Sequence, residues 1–199
     1  MKMNRVEKRF VNSPGHSQRV AKGAVRRLRD LAIEPGWRYL DVGCGNGEPA
    51  RRVADTFGLH VTGVDVDHQQ IEQARLATQE RGDTVFLLAD AADLPFGNGC
   101  FDVVATNKVT HHMPAWQAGL REMERVLRPG GYFVYADLHA PVWLAAILER
   151  VAGRKAGIFT AEDLDQLFAG FRPVHRDARW WHYEGVFVKS PLRGTVANA

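Results

Sequence analysis

An α/β fold is predicted by this 199-residue sequence: a three-layer sandwich around a seven-stranded, mostly parallel sheet that finishes in a C-terminal antiparallel hairpin. Three observations carry that reading. Apolar strand-like runs alternate with helical segments between residues 37 and 138, the rhythm of parallel strands joined by helical crossovers. The first of those runs opens into "GCGNG", where glycine falls at every second position. Two further strand-like runs near the C-terminus follow one another with no room for a helix between them, so they must be antiparallel.

Residues 17–33 place Val20, Ala24, Leu28 and Leu31 on one face with arginines elsewhere, the period of an amphipathic helix, and "EPG" at 34–36 stops it. "WRYLDVG" reads as the first strand, and residues 47–57 as the helix that leaves the glycines. "LHVTGVDV" is a second strand, followed by a helix over 68–80; "TVFLLAD" and "FDVVATN" are the third and fourth strands. "MPAWQAGLREMERVL" is a helix opened near Pro114 and closed by "RPGG", after which "GYFVYADL" forms the fifth strand. A helix over 160–169 leads to the hairpin, "FRPVHRDARW" and "WHYEGVFVKS". The expected organisation is an N-terminal segment with a basic amphipathic helix at 1–34, one ligand-binding domain at 35–190, and a loose tail at 191–199.

A content of 45% hydrophobic and 25% charged residues fits one ordinary globular domain, long enough to bury a core without staples. The two cysteines, Cys44 and Cys100, show no CxxC or Cys/His spacing, so neither a disulfide framework nor a metal site is expected. "MKMNRVEKRF" lacks the apolar stretch of a secretory leader. The longest apolar run, "APVWLAAIL", falls far short of the ~20 residues that cross a bilayer, so a cytoplasmic protein without a membrane span is expected. Net charge is +3, and basic residues gather early: Lys2, Arg5, Lys8, Arg9, Arg19, Lys22, Arg26, Arg27 and Arg29. Such a cluster either touches polyanions or forms a solvated helix face, and the second is the plainer expectation.

What the glycine loop binds is set by its neighbours. In an open parallel sheet, ligands gather beyond the carboxyl ends of the strands, and Gly43, Gly45 and Gly47 stand at such an end. Asp65 closes the second strand about 20 residues on, where a carboxylate accepts ribose hydroxyls. A dinucleotide and an adenosyl sulfonium both fit so far. The dinucleotide fingerprint, however, asks for glycine where Glu48 stands. Asp41, directly before the loop, would repel a pyrophosphate yet suits a cationic amino or sulfonium group. The terminal hairpin is a third departure, and the reading goes against a nicotinamide-dependent oxidoreductase.

With those residues in place, the chain resembles the class I S-adenosylmethionine-dependent methyltransferases over about residues 35–190. "LDVGCGNG" is similar to the family's glycine-rich first motif, "VTGVDVD" to its ribose-binding acidic loop, and "LLADAADLPF" to the segment where an aspartate meets the adenine amino group. "FDVVATNKVTHHM" resembles the fourth-strand motif, and "VLRPGGYFVYAD" the turn and strand that follow. The resemblance implies a Rossmann-like fold, with S-adenosylmethionine as cofactor and S-adenosylhomocysteine as product. By position it implies that Gly43, Gly45 and Gly47 let the main chain approach the methionine part, while Asp41 orients the methionine amino group through water. Asp65 would hold the ribose and Val66 would pack on the adenine face. Asp90 would accept from the adenine amino group, the Ala91 N–H would face the ring, and Asn107 would border the transferring methyl.

Methyl transfer from a sulfonium is an in-line displacement to which positioning contributes on the order of 7–11 kcal/mol in favourable cases. A base is needed only for an acceptor that arrives protonated. His111, His112, Asp137 and His139, near the ends of the fourth and fifth strands, are the candidates, each with packing or loop hydrogen bonding as its alternative role. His16 either folds over the site or belongs to a surface loop. Trp143, Leu144, Ile147 and Phe159 are either an apolar wall for the acceptor or ordinary helix core. The expected reaction is methyl transfer to a small-molecule acceptor, by a monomer or homodimer. Nucleic acid is the weaker expectation, because "NKVT" stands where the resemblance to base-amine methyltransferases asks for an Asn/Asp-Pro-Pro-aromatic run. The alternatives are an RNA or protein acceptor, or a cofactor-binding partner subunit that transfers nothing.

Overall fold

The computed structural model describes residues 12–78, 82–145 and 157–191. Helix α1 (Pro14–Leu28) precedes β1 (Arg38–Val42), α2 (Glu48–Phe57), β2 (His60–Asp65), α3 (His68–Leu76) and β3 (Thr84–Leu88). Then come β4 (Phe101–Asn107), a 3-10 turn at Thr110–His112, α4 (Trp116–Val126) and β5 (Leu127–Leu138). The described chain closes with α5 (Ala161–Leu167), β6 (Phe171–Arg179) and β7 (His182–Lys189). The seven strands form one sheet in the order β3-β2-β1-β4-β5-β7-β6. The first five run parallel, and β7 is antiparallel to both β5 and β6, so the expected sheet and hairpin are the observed ones. Strand order reverses between β1 and β4, the place where such a sheet opens a crevice for ligands.

Period-2 alternation divides the strands between two cores. Leu40, Val42, Val104, Phe133, Tyr135 and Tyr183 pack with Leu120 and Met123 of α4 and Leu164 of α5. Tyr39, Val103, Ala105, Val134 and Val186 pack with Leu28 of α1, Val53 of α2 and Ile71 of α3. Fully burying one such side chain stabilises the fold by roughly 1.5–3 kcal/mol, and a one-residue slip would exchange the faces, so register is strongly fixed. The same alternation aims two polar residues. Asp137, two positions after Tyr135, shares the α4 and α5 side, whereas Glu184 shares the α1 side with Val186.

Several boundaries differ from expectation for identifiable reasons. α1 begins at Pro14 rather than residue 17, since proline's missing N–H costs nothing in a first helical turn, and it ends at Leu28. β5 begins at Leu127, before "RPGG": Phe101 pairs with Leu127 and the next pair is Val103 with Tyr132, so the intervening residues bulge from the ladder. Pro173 lies on the edge strand β6, at a register irregularity, where a missing donor is tolerated. The Asp67 side chain caps α3 by accepting from the Gln69 N–H. Residues 79 and 80 of the expected third helix, Ile147, the first eleven residues and the tail from 192 onward lie outside the described residues. Among the described residues, no helix is long and apolar enough to cross a membrane.

Candidate functional site

β1 delivers Asp41 and Val42 to the sheet's carboxyl edge, and the chain then turns through Gly43, Gly45 and Gly47, with φ of 78°, 54° and 75°. That left-handed backbone favours glycine at all three positions, but only one leaves open space. A Cβ on Gly43 would lie 2.1 Å from Val109, and one on Gly47 would lie 2.5 Å from Phe86. At Gly45 the nearest heavy atom would be Gln70 Oε1, 3.9 Å away. Gly43 and Gly47 therefore admit the protein's own side chains, and Gly45 is where an outside group can reach the main chain. Asp65 holds that position from the end of β2. Its carboxylate accepts from the Gly45 N–H at 3.0 Å and the Asp67 N–H at 2.9 Å.

Two cavities meet over this loop. The first, about 330 Å³, is lined by Gly43, Gly45, Asp65, Val66, Asp90 and Ala91, with the β4 loop opposite. The second, about 290 Å³, is lined by His16, Val20, Asn107, Lys108 and His111. Gly43, Gly45 and His112 line both, so the two form one cleft bent over the glycines. In the first cavity Val66 presents an exposed apolar side chain. Asp90 lines the wall, its Oδ1 accepting from the Ala92 N–H at 2.9 Å. Asp41 and Gly47 line neither cavity; Asp41 is buried beneath the loop.

The electrostatics of this side are those of uncompensated carboxylates. Burial, and after it the charge of Asp65, pushes the Asp41 carboxyl up to about 7. Burial also raises Asp65, against backbone hydrogen bonds from Asp67 and Gly45 that lower it. A cationic group in the cleft would favour the ionised form of both. Burial pushes the Cys44 thiol well up as well, which disfavours the thiolate form that a nucleophile needs.

Asp137 organises the other side. Fully buried, it accepts from the Val109 N–H (3.0 Å), the Thr110 N–H (2.7 Å) and the Thr110 hydroxyl (2.5 Å) through Oδ2. Through Oδ1 it accepts from the Leu138 N–H (2.7 Å) and from His111 Nδ1 (2.5 Å). Burial alone would raise its carboxyl. The hydrogen bond and charge of His111, together with the Thr110 hydroxyl, outweigh burial and hold it below the usual carboxylate range. An ionised Asp137 takes the Nδ1–H of His111, which makes Nε2 the basic ring nitrogen of a side chain that lines the second cavity. The His112 ring packs against it at a tilt of 43°, centroids 3.9 Å apart.

Of the four candidate bases, then, His111 and His112 line the cleft, Asp137 supports His111 from beneath, and His139 lies elsewhere. The His139 Nε2–H donates to the Arg179 carbonyl at 2.7 Å and ties the end of β5 to the hairpin turn. Phe159 is core, 1% exposed, with its ring centroid 5.0 Å from that of Trp116. Trp143 is exposed and, like Leu144, lines neither cavity. Asn107 and His16 do line the second cavity. Missed from the sequence was Lys108, the only non-glycine residue with positive φ (57°) among the described residues. No motif marks it; the signal is backbone geometry that a sequence does not display.

The methyltransferase domain family matches residues 40–135 of the chain. The 27-O-demethylrifamycin SV methyltransferase of Amycolatopsis mediterranei (strain S699) is 39% identical over 160 residues, which cover 75% of this chain and 59% of that relative. A sterol 24-C-methyltransferase of Gibberella zeae is 33% identical over 139 residues, covering 68% and 37% respectively. The chain thus spans between about a third and three fifths of the length of these curated relatives. Among solved structures, a protein of Pyrococcus horikoshii OT3 superposes with a TM-score of 0.71 at 21% identity, covering 90% of this chain and 93% of that one, a likeness of fold.

Proposed function

The chain belongs to the class I S-adenosylmethionine-dependent methyltransferases, and from that premise we propose that it moves a methyl group to a small-molecule acceptor held between α1 and the β4 loop. The observation that carries this reading is the bent cleft, with Gly45 and paired carboxylates on one arm and His111 on Asp137 on the other. Relatives named for rifamycin and sterol acceptors support a small molecule.

The residues present fit the cofactor. Gly45 offers open backbone, Asp65 a carboxylate for the ribose, Val66 and Asp90 an apolar face and an acceptor for the adenine, and Asp41 a negative charge beneath the cationic amino end. When bound, S-adenosylmethionine supplies a methyl group activated by the sulfonium. This chain's part is then positioning and proton handling. His111 Nε2 takes the proton of an acceptor hydroxyl or ammonium, and the Asp137 carboxylate stabilises the imidazolium so formed and fixes its tautomer. Thr110, bonded to both Asp137 and Tyr135 Oη (2.6 Å), holds that carboxylate in place.

Calorimetric titration with S-adenosylhomocysteine tests the cofactor arm, and mass-spectrometric detection of its release on an acceptor panel tests the other. Micromolar binding is expected. His111→Ala is expected to lower kcat on protonated acceptors by about 10²–10⁴-fold with little change in S-adenosylhomocysteine affinity. A folded wild type that binds no S-adenosylhomocysteine overturns the cofactor assignment; an unchanged kcat in His111→Ala removes the base.

A further inference from the structure

We propose that the methyl acceptor carries an anionic group, a carboxylate or a phosphate, seated beside the methyl-transfer cleft by Lys108, Arg19 and Lys22. The proposal rests on the methyltransferase reading above and specifies its substrate class. The cavity that holds His111 shares His16, Val20, Asn107 and Lys108 with a further cavity of about 400 Å³, so the two are continuous. The walls of that extension bring five cationic side chains, Arg19, Lys22, Arg26, Arg27 and Lys108, against one carboxylate, Glu184. Glu184 is already shared, with Arg26 Nη2 at 2.7 Å and Arg27 Nε at 3.0 Å. Among the described residues, no ion pair engages Arg19, Lys22 or Lys108.

Like charges around a concave wall repel one another and focus a field that attracts counter-charge. The histidines in that wall register it. His16 is held below its ordinary range by burial first and then by Lys108 and Arg19. His182 is lowered by burial, against the pull of Glu184, and then by Arg27 and Lys108. Lys108 also stands in a left-handed backbone conformation that L side chains rarely adopt, its N–H bonded to the Ala136 carbonyl at 2.8 Å. Strain of that kind gathers at ligand sites; here it sets an ammonium at the junction of the two cavities. The other arm of the cleft is lined by Asp65 and Asp90, with Asp41 buried beneath its glycine loop. An anionic acceptor is therefore drawn to the α1 side and repelled from the cofactor side, which orients it as well as binds it. A concave site of this volume suits a small molecule rather than a nucleic-acid backbone.

The probe is inorganic phosphate, titrated into protein saturated with S-adenosylhomocysteine at an ionic strength held constant with chloride. Phosphate is expected to bind the wild type and raise its Tm. Lys108→Asn, which tolerates the left-handed backbone, and the doubly substituted Arg19→Gln, Lys22→Gln chain are each expected to weaken phosphate at least fivefold while S-adenosylhomocysteine affinity stays within twofold. In a second arm, acceptors are offered in pairs, each acid beside its methyl ester; the acid is the better substrate and the preference is lost in Lys108→Asn. Phosphate affinity unaltered in both variants, or equal turnover of acid and ester, overturns the proposal. Methylation of a short RNA in preference to every anionic small molecule overturns it too. A wild type that binds phosphate through Lys108 but binds no S-adenosylhomocysteine overturns the methyltransferase reading and leaves the anion site standing, which separates the two failures.

Discussion

On the cofactor side of the cleft, the ligand-facing groups come from the ends of three adjacent parallel strands, β1, β2 and β3; on the acceptor side they come from α1, the loop after β4, and β7. The first side is built from glycine backbone and carboxylates within short stretches of chain. The second is built from long cationic side chains and histidines far apart in sequence, with Arg26 and Glu184 separated by 158 residues. The two arms share only Gly43, Gly45 and His112. The difference teaches that an unvarying ligand can be held by local loops, whereas an acceptor site assembled from separate elements can change without disturbing those loops. It also means that substitutions on one side are expected to spare the other, and that expectation can be broken.

The largest expected effect is on the side where side chains carry the structure. Asp137→Ala strips a buried hub of six donors, four of them backbone N–H groups, and the cost is expected to be about 3–5 kcal/mol. Urea unfolding measures it; a cost below ~1 kcal/mol would mean the β4 loop does not depend on this carboxylate. Next, Asp65→Ala is expected to weaken S-adenosylhomocysteine at least tenfold, about 1.4 kcal/mol, by calorimetry, with turnover of saturated enzyme less affected. Equal affinity would break the assignment of the β2 end to the ribose.

The pH dependence sharpens the contrast. Asp41 has a folded-state pKa of about 7, above its unfolded value near 4. Its contribution to the stability of the free protein is therefore fully present below about pH 4 and lost as pH rises through about 7. A cationic ligand favours the ionised form, so S-adenosylhomocysteine affinity is expected to rise about tenfold from pH 6 to pH 8. Proton release on binding, read by calorimetry in two buffers, accompanies it, and Asp41→Asn flattens the profile. A flat wild-type profile would exclude Asp41 from the binding linkage. The smallest effect is expected from Lys22→Gln on the exposed face of α1: unfolding free energy within about 0.5 kcal/mol of wild type, because no ion pair of the described residues is lost.

Much of the cofactor side was legible because its chemistry is local. Asp41 before the glycines and Asp65 at the next strand end are readable as spacing, and the structure brings Gly45 and Asp65 into contact. Spacing did not show that Gly43 and Gly47 make room for Val109 and Phe86, since those partners arrive from β3 and the β4 loop. On the acceptor side, four candidate bases were visible only as residue types near strand ends. Whether a side chain there faces the cleft or the core depends on sheet parity and on a neighbouring strand, which sent Asp137 inward and His139 to the hairpin.

By itself, then, the sequence determined the alternation of strands and helices, the closing hairpin and the carboxylate-glycine loop, because hydrophobic period and backbone freedom act over a few residues. Only the tertiary structure placed Asp137 in the interior against His111, left open space at the Cβ position of Gly45 but not of Gly43 or Gly47, and brought Lys108, Arg19 and Lys22 to one cavity. Those outcomes depend on which distant elements the sheet order and its two packed faces bring together.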